Sequence, residues 1–90
     1  MSIESDNMVT KAEYIGEYKI MVYFEDGQTR LIDLKDFLES TPVKLAKRFL
    51  DLNLFRQFRV DDGTLCWGDN EMDINPMNIY NGKYDAVMDC

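Results

Sequence analysis

Twice in this 90-residue chain an Asp-Gly dipeptide separates two stretches that alternate between apolar and polar residues. The dipeptides are Asp26-Gly27 and Asp62-Gly63. Asp-Gly favours the two-residue type I′ turn, in which both central residues need positive φ angles. We therefore expect a β-hairpin around each dipeptide, which restricts the chain to folds that contain antiparallel sheets.

The first hairpin is expected to belong to a three-stranded meander. The stretch from Tyr18 to Phe24 alternates with period two and has apolar groups on both faces, which is typical of a central strand. Gly16 separates it from an earlier strand. The predicted strands are Val9 to Ile15, Tyr18 to Phe24 and Thr29 to Leu34.

The residues between the hairpins have helical periodicity. Leu34 to Glu39 indicates a short helical turn, and an amphipathic helix is expected to follow with Thr41 as its N-cap and Pro42 at its first position. At 100° per residue the helix has an apolar arc and a charged arc. The apolar arc contains Leu45, Ala46, Phe49, Leu50 and Leu52, and the charged arc contains Lys44, Lys47, Arg48 and Asp51.

The second hairpin is predicted to pair Phe55 to Val60 with Leu65 to Trp67, and Asn75 is expected to cap a helical turn that opens with Pro76. The fold class is therefore α+β, with an antiparallel three-stranded meander, one amphipathic helix, a second β-hairpin and a short C-terminal helical turn. Residues 9–80 are expected to form a single domain, between a disordered extension at 1–8 and a frayed tail at 81–90. The predicted core contains Ile20, Val22, Phe24, Leu31, Leu45, Phe49, Phe58 and Trp67.

Charge and composition exclude several functions. The net charge is −7, which disfavours general affinity for nucleic-acid phosphates or anionic membranes. The chain has no histidine, which removes Ser-His and Cys-His nucleophiles and histidine zinc sites. It shows no signal peptide and no apolar run of membrane-spanning length. A cytoplasmic protein with reduced Cys66 and Cys90 is expected, in which Cys66 packs as a small hydrophobe.

The carboxylates have structural explanations. Counted from Asp69 as a calcium loop, the sixth position should be glycine but is Ile74, and the twelfth should be glutamate but is Tyr80. The acidic pairs at 25–26 and 61–62 each precede a glycine, and turn geometry accounts for them. We expect no metal, no cofactor and no enzymatic activity.

Basic residues are concentrated in one region, which leaves an alternative open. Five bases and one acid between Pro42 and Val60 give that region a net charge of +4 and leave −11 for the rest of the chain. An amphipathic helix ordinarily places its lysines and arginines in solvent. The alternative is a nucleic-acid-associated regulator that uses Lys44, Lys47, Arg48, Arg56 and Arg59.

Aromatic residues concentrate at protein contacts, although most serve the core in a small domain. Trp67 is expected to be buried, and Tyr23 is expected to be the more exposed aromatic. We predict a contact with a basic protein partner on exposed apolar groups of the sheet, with Met21 and Tyr23 as the candidate residues.

The ordered set of these segments resembles the bacterial family catalogued as domain of unknown function 2442, over about Val9 to Tyr80. Two departures are the acidic segment between Trp67 and Asp73 and the N-terminal extension. The segments that carry the resemblance are residues 20–30, 32–34, 55–67, 72–76 and 79–80.

The resemblance implies a compact α+β domain in bacterial cytoplasm and transfers no catalytic residues. Some relatives are fused to a helix-turn-helix domain, and we expect no such fusion here because the chain ends where it would begin. The genes of many others lie beside that of a second small protein, as toxin and antitoxin genes do. We therefore expect a small non-enzymatic protein-interaction module, an antitoxin-like partner of a neighbouring gene product.

Overall fold

The computed structural model describes residues 8–68 and 71–86, which form two three-stranded antiparallel sheets and several short helices. This is the expected α+β class. The strands are β1 (Val9–Gly16), β2 (Lys19–Phe24), β3 (Thr29–Asp33), β4 (Arg59–Asp61), β5 (Thr64–Trp67) and β6 (Met72–Ile74). The helices are α1 (Lys35–Ser40), α2 (Lys44–Lys47), a 3₁₀ turn (Arg48–Leu50), α3 (Leu52–Phe55) and α4 (Pro76–Tyr80).

The first sheet is the predicted meander, with β2 between β1 and β3. Alternation along β2 buries Ile20, Val22 and Phe24. On β3, Ile32 pairs with Ile20 and is fully buried, whereas Leu31 pairs with Met21 on the opposite face. The prediction that Leu31 belongs to the core is therefore wrong, because neighbouring strand residues point to opposite faces.

The two Asp-Gly turns differ. The second is the predicted turn, with positive φ at both Asp62 (55°) and Gly63 (80°). In the first, Gly27 has a φ of 91° while Asp26 is not left-handed, and the Gly27 amide donates to the Phe24 carbonyl at 3.0 Å. The type I′ prediction is wrong here, because four residues, 25–28, connect the two strands and only Gly27 among them is left-handed.

The helical region after Pro42 forms as predicted, but it is interrupted rather than one continuous amphipathic helix. The chain forms α2, the 3₁₀ turn and α3, because Asp51 is extended and its side chain caps α3 by accepting from the Asn53 amide. Thr41 ends α1, and its hydroxyl accepts from the Val43 amide, so neither Thr41 nor Pro42 begins α2. The prediction that Leu45 is a core residue is wrong, because α2 buries Ala46 and leaves Leu45 47% exposed.

The second sheet contains one strand more than the predicted hairpin. The stretch 55–58 was predicted as strand, but α3 ends at Phe55 and β4 begins only at Arg59. Phe58 is half-buried rather than central. The added strand is β6, which pairs with β5 and buries Met72 and Ile74.

The core lies where the sheets and helices meet. Phe55 and Trp67 are both fully buried, and the Trp67 indole N–H donates to the Phe55 carbonyl at 2.7 Å. Tyr14 and Tyr18 pack edge-on against the Phe55 ring, with centroid distances of 6.4 and 5.3 Å. These contacts join the first sheet, α3 and the second sheet around one aromatic cluster.

The C-terminal part is ordered beyond the predicted boundary at Tyr80. Asn75 caps α4 as predicted, by accepting from the Met77 amide at 2.8 Å. Asp85 then forms an antiparallel bridge with Ile32, and the Ala86 amide donates to the Leu31 carbonyl at 2.9 Å. The frayed tail therefore does not begin at residue 81. The predictions for 1–7 and 87–90, Cys90 among them, lie outside the described residues.

Candidate functional site: the outer face of the first sheet

The candidate site is the face of the first sheet that lies opposite the core, called the outer face from here on. It is built by strand alternation, which brings alternate side chains of β1, β2 and β3 to one surface. Its residues are Lys11, Glu13, Ile15, Lys19, Met21, Tyr23, Thr29, Leu31 and Asp33.

The centre of the outer face is apolar. Met21 stands between Glu13 on β1 and Leu31 on β3, as direct cross-strand partners. Ile15 lies two residues after Glu13 on β1, which puts it diagonally across from Met21. It is 52% exposed. Ile15, Met21 and Leu31 thus form an apolar group on the solvent side of the sheet.

Tyr23 is held in place beside that group. Its hydroxyl donates to the Glu13 carboxylate at 2.9 Å, and the Lys11 ammonium lies 5.3 Å from the ring centroid. The hydrogen bond to Glu13, together with partial desolvation and the carboxylate charge, raises the pKa of Tyr23 above its ordinary value. Tyr23 is half-buried, and its ring remains partly accessible beside Glu13 and Lys11.

Both predicted contact residues therefore lie on one face, and the structure adds two that sequence reasoning missed. The apolar character of Leu31 predicts a core residue, but its pairing with Met21 puts it on the outer face. The sequence pattern predicts Ile15 only as the end of the first strand and gives it no part in a contact. Ile15 lies within the register shift between Tyr14 and Gly16, which a sequence pattern does not reveal.

The five basic residues of the alternative function are all exposed, but most are engaged within the chain. Lys47 donates to the Glu39 carbonyl at 2.7 Å, and Arg48 forms an ion pair with Glu71. Arg56 lies over the Tyr14 ring, and Arg59 donates to the Gly68 carbonyl. Lys44 alone of the five makes no such contact in the described part of the chain. They are distributed over α2, the 3₁₀ turn, the C-terminal end of α3 and the first residue of β4 rather than along one helix face.

The other residues that the sequence singles out have structural roles in the described part of the chain. Trp67 and Cys66 are buried, as predicted. Met72–Ile74 of the acidic run is strand rather than loop, while residues 69 and 70 are outside the described residues. Within 8–68 and 71–86 no cluster of three Cys, Asp or Glu side chains has metal-binding geometry, and no helix is long and apolar enough to cross a bilayer.

Comparison with known proteins bears on the identity of the domain. The family model described as "Protein of unknown function (DUF2442)" matches residues 9–85. The chain belongs to this family. The match extends to Asp85, the residue that bridges β3, so the DUF2442 domain includes the ordered segment after α4. No curated protein and no solved structure matches the chain.

Proposed function

We propose that this DUF2442 protein is a non-enzymatic protein-interaction module of the bacterial cytoplasm and the antitoxin-like partner of a second small protein encoded beside it. The observation that carries the proposal is the apolar group formed by Ile15, Met21 and Leu31 on the outer face. It binds the partner at its centre, and the charged residues around it set the orientation.

The composition of the outer face supports a protein contact. Binding energy at protein interfaces comes mainly from a desolvated apolar or aromatic centre, and a polar rim excludes water from it. Here the centre is flanked by the Tyr23–Glu13 hydrogen bond and by Lys19, whose ammonium lies 3.6 Å from the Glu17 carboxylate. Rim charges of both signs discriminate between partners more than they add affinity.

The net charge indicates the kind of partner. A chain of −7 attracts a basic protein over long range, which speeds encounter without supplying most of the affinity. Association with such a partner is expected to slow as salt rises, since salt screens this attraction.

Co-expression of the chain with the product of the adjacent gene tests the proposal. We expect the two proteins to co-purify as a stoichiometric complex. Ile15→Thr removes apolar surface from the outer face while keeping a β-branched side chain, and it should weaken the complex. Met77→Thr is the control, because Met77 is also an exposed apolar residue, 41% against 52%, but lies on α4 rather than on the outer face.

Two results would exclude the proposal. One is that no complex forms with the adjacent gene product when both proteins are folded. The other is that a complex forms and Ile15→Thr and Met77→Thr weaken it equally, which would place the contact away from the outer face.

A further inference from the structure

A second surface combines exposed apolar and basic side chains at the start of α2. Val43 and Leu45 are 53% and 47% exposed, and Lys44 lies between them in sequence. We call these three residues the α2 surface. The Lys44 ammonium forms no ion pair or hydrogen bond within the described residues, so its charge is available to another molecule.

An acidic cleft borders α1. It has a volume of about 290 Å³ between α1 and residues 83–85. The Phe37 and Tyr84 rings meet edge-on there with centroids 5.7 Å apart. The other lining residues are Asp33, Asp36, Ser40, Lys83 and Asp85, which gives three carboxylates against one ammonium.

Helix α1 joins the two surfaces. Asp36, Phe37 and Ser40 line the cleft on one side. At the end of the same helix, the Glu39 carbonyl accepts from the Lys47 ammonium of α2 at 2.7 Å. A basic apolar surface and an acidic cleft with an aromatic wall are thus neighbours across a single short helix.

We infer that this chain forms a two-fold dimer in which the α2 surface of each copy occupies the acidic cleft of the other. A two-fold axis beside α1 brings each α2 opposite the partner's cleft, so both contacts form twice and the assembly closes. Lys44 then faces Asp36 and Asp85 of the second copy. Val43 and Leu45 cover the Phe37–Tyr84 wall.

Charge complementarity within the chain identifies a second copy as the occupant. The α2 surface has one ammonium, that of Lys44, without a partner among the described residues, and the cleft is lined by three carboxylates and one ammonium, so the two surfaces of one chain have opposite charge. Two copies repel each other at long range through their net charge of −7, but salt screens that repulsion beyond about 8 Å at physiological ionic strength. The short-range pairs between Lys44 and the cleft persist at contact distance.

Sedimentation of charge-reversal variants tests the dimer. The wild-type chain is measured over a concentration series at about 0.15 M salt, where long-range repulsion is screened. Lys44→Glu and Asp36→Lys each place like charges opposite each other twice per dimer, and each should weaken dimerisation by at least about tenfold. Both positions are exposed, and circular dichroism checks that each variant is folded.

Mixing the two variants is the decisive step. In a mixed dimer, the carboxylate introduced by Lys44→Glu in one copy faces the ammonium introduced by Asp36→Lys in the other, and the second contact keeps the native Lys44–Asp36 pair. The mixture should therefore dimerise as the wild type does, although each variant alone does not. Arg56→Glu makes the same change in net charge as Lys44→Glu at an exposed position outside the α2 surface and should leave the dimer intact.

A wild-type chain that stays monomeric at millimolar concentration overturns the inference. So does a mixture that does not recover, or an Arg56→Glu chain as weak as Lys44→Glu. Ile15→Thr should dimerise normally, so failure of the dimer and failure of partner binding on the outer face are separate results.

Discussion

At the residue scale, Asp26 shows how a turn carboxylate connects distant parts of the chain. Its side chain accepts from the Gln28 amide at 2.9 Å and from the Tyr80 hydroxyl at 2.8 Å. The hydrogen bond from Gln28, and after it the one from Tyr80, lowers the pKa of Asp26 below its ordinary value of 3.8. Partial desolvation raises this pKa by a smaller amount, and the positive charge of Arg30 lowers it further. The first Asp-Gly turn thereby anchors the end of α4, 54 residues away in sequence.

The lowered pKa of Asp26 predicts a pH dependence of stability. A carboxylate with a lower pKa in the folded state stabilises the fold above its unfolded pKa, and this contribution is lost as the pH falls through the folded pKa. Asp26→Asn should therefore lower the free energy of unfolding at pH 7, and the gap to the wild type should shrink as the pH falls below about 3.8. Urea unfolding over a pH series measures the gap.

Asp61→Asn, at an exposed position of the second hairpin, controls for the loss of one negative charge. A gap between Asp26→Asn and the wild type that stays constant from neutral to acidic pH would contradict the role assigned to the two hydrogen bonds.

At the element scale, the two Asp-Gly hairpins differ in their surroundings. A Cβ added to Gly27 would meet nothing within 4 Å, whereas one added to Gly63 would approach the Met8 side chain, with Cε at 2.6 Å and Cβ at 2.9 Å. The Val9 amide also donates to the Gly63 carbonyl at 3.0 Å, so the second turn is packed against the start of β1.

Alanine at the two glycines should separate backbone strain from crowding. Gly27→Ala carries only the cost of a left-handed alanine, about 1 to 2 kcal/mol. Gly63→Ala carries a similar cost together with the clash against Met8, so its denaturation midpoint should be clearly lower. Equal midpoints for the two variants would show that Met8 does not pack on the second turn.

The broken helix makes a second prediction at this scale. Phe49 is 3% exposed and lies at 6.2 Å from the Trp67 ring centroid, while Leu45 is 47% exposed. Phe49→Ala should lower the free energy of unfolding by about 3 to 5 kcal/mol, and Leu45→Ala by less than about 0.5 kcal/mol. Similar losses in chemical denaturation would show that Leu45 is buried on the same side as Phe49, as a continuous amphipathic helix predicts.

Local pattern predicted those elements whose formation depends on local chemistry. The alternation in β2, the left-handed pair at Asp62-Gly63 and the Asn75 cap before Pro76 all follow from neighbouring residues. The break at Asp51 does not, because an aspartate fits the charged face of a helix as well as it caps a new one. Strand β6 has only three residues, and pairing with β5 rather than its own propensity determines it.

In the candidate site, too, local alternation predicts some residues and strand pairing determines the others. Met21 and Tyr23 share a face by parity alone. Leu31 requires the register of β3 against β2, and Ile15 requires the irregularities of β1, both of which depend on how strands pair. The contacts that engage Lys47, Arg48, Arg56 and Arg59 are tertiary, so a count of charges in sequence overstates the free positive charge of that region.

At the scale of the whole molecule, the sheets, the helices and the ordered C-terminal segment bury one aromatic core and leave two separate surfaces exposed. The outer face has the apolar group with its charged rim, and the α2 surface has Lys44 between two exposed aliphatic side chains. The outer face and the α2 surface share no residue, so a substitution on one leaves the side chains of the other unchanged. Each can therefore be tested on the intact chain.

The affinity of the purified partner for two methionine variants tests the role of the outer face most directly. Met21→Ala removes the centre of the apolar group, and Met77→Ala removes a methionine that is 41% exposed on α4. Titration calorimetry should show that Met21→Ala raises the dissociation constant by about tenfold or more, since a central contact contributes over about 1 kcal/mol, while Met77→Ala leaves it unchanged. An unchanged dissociation constant for Met21→Ala, with a folded chain and an intact partner, would contradict partner binding on the outer face.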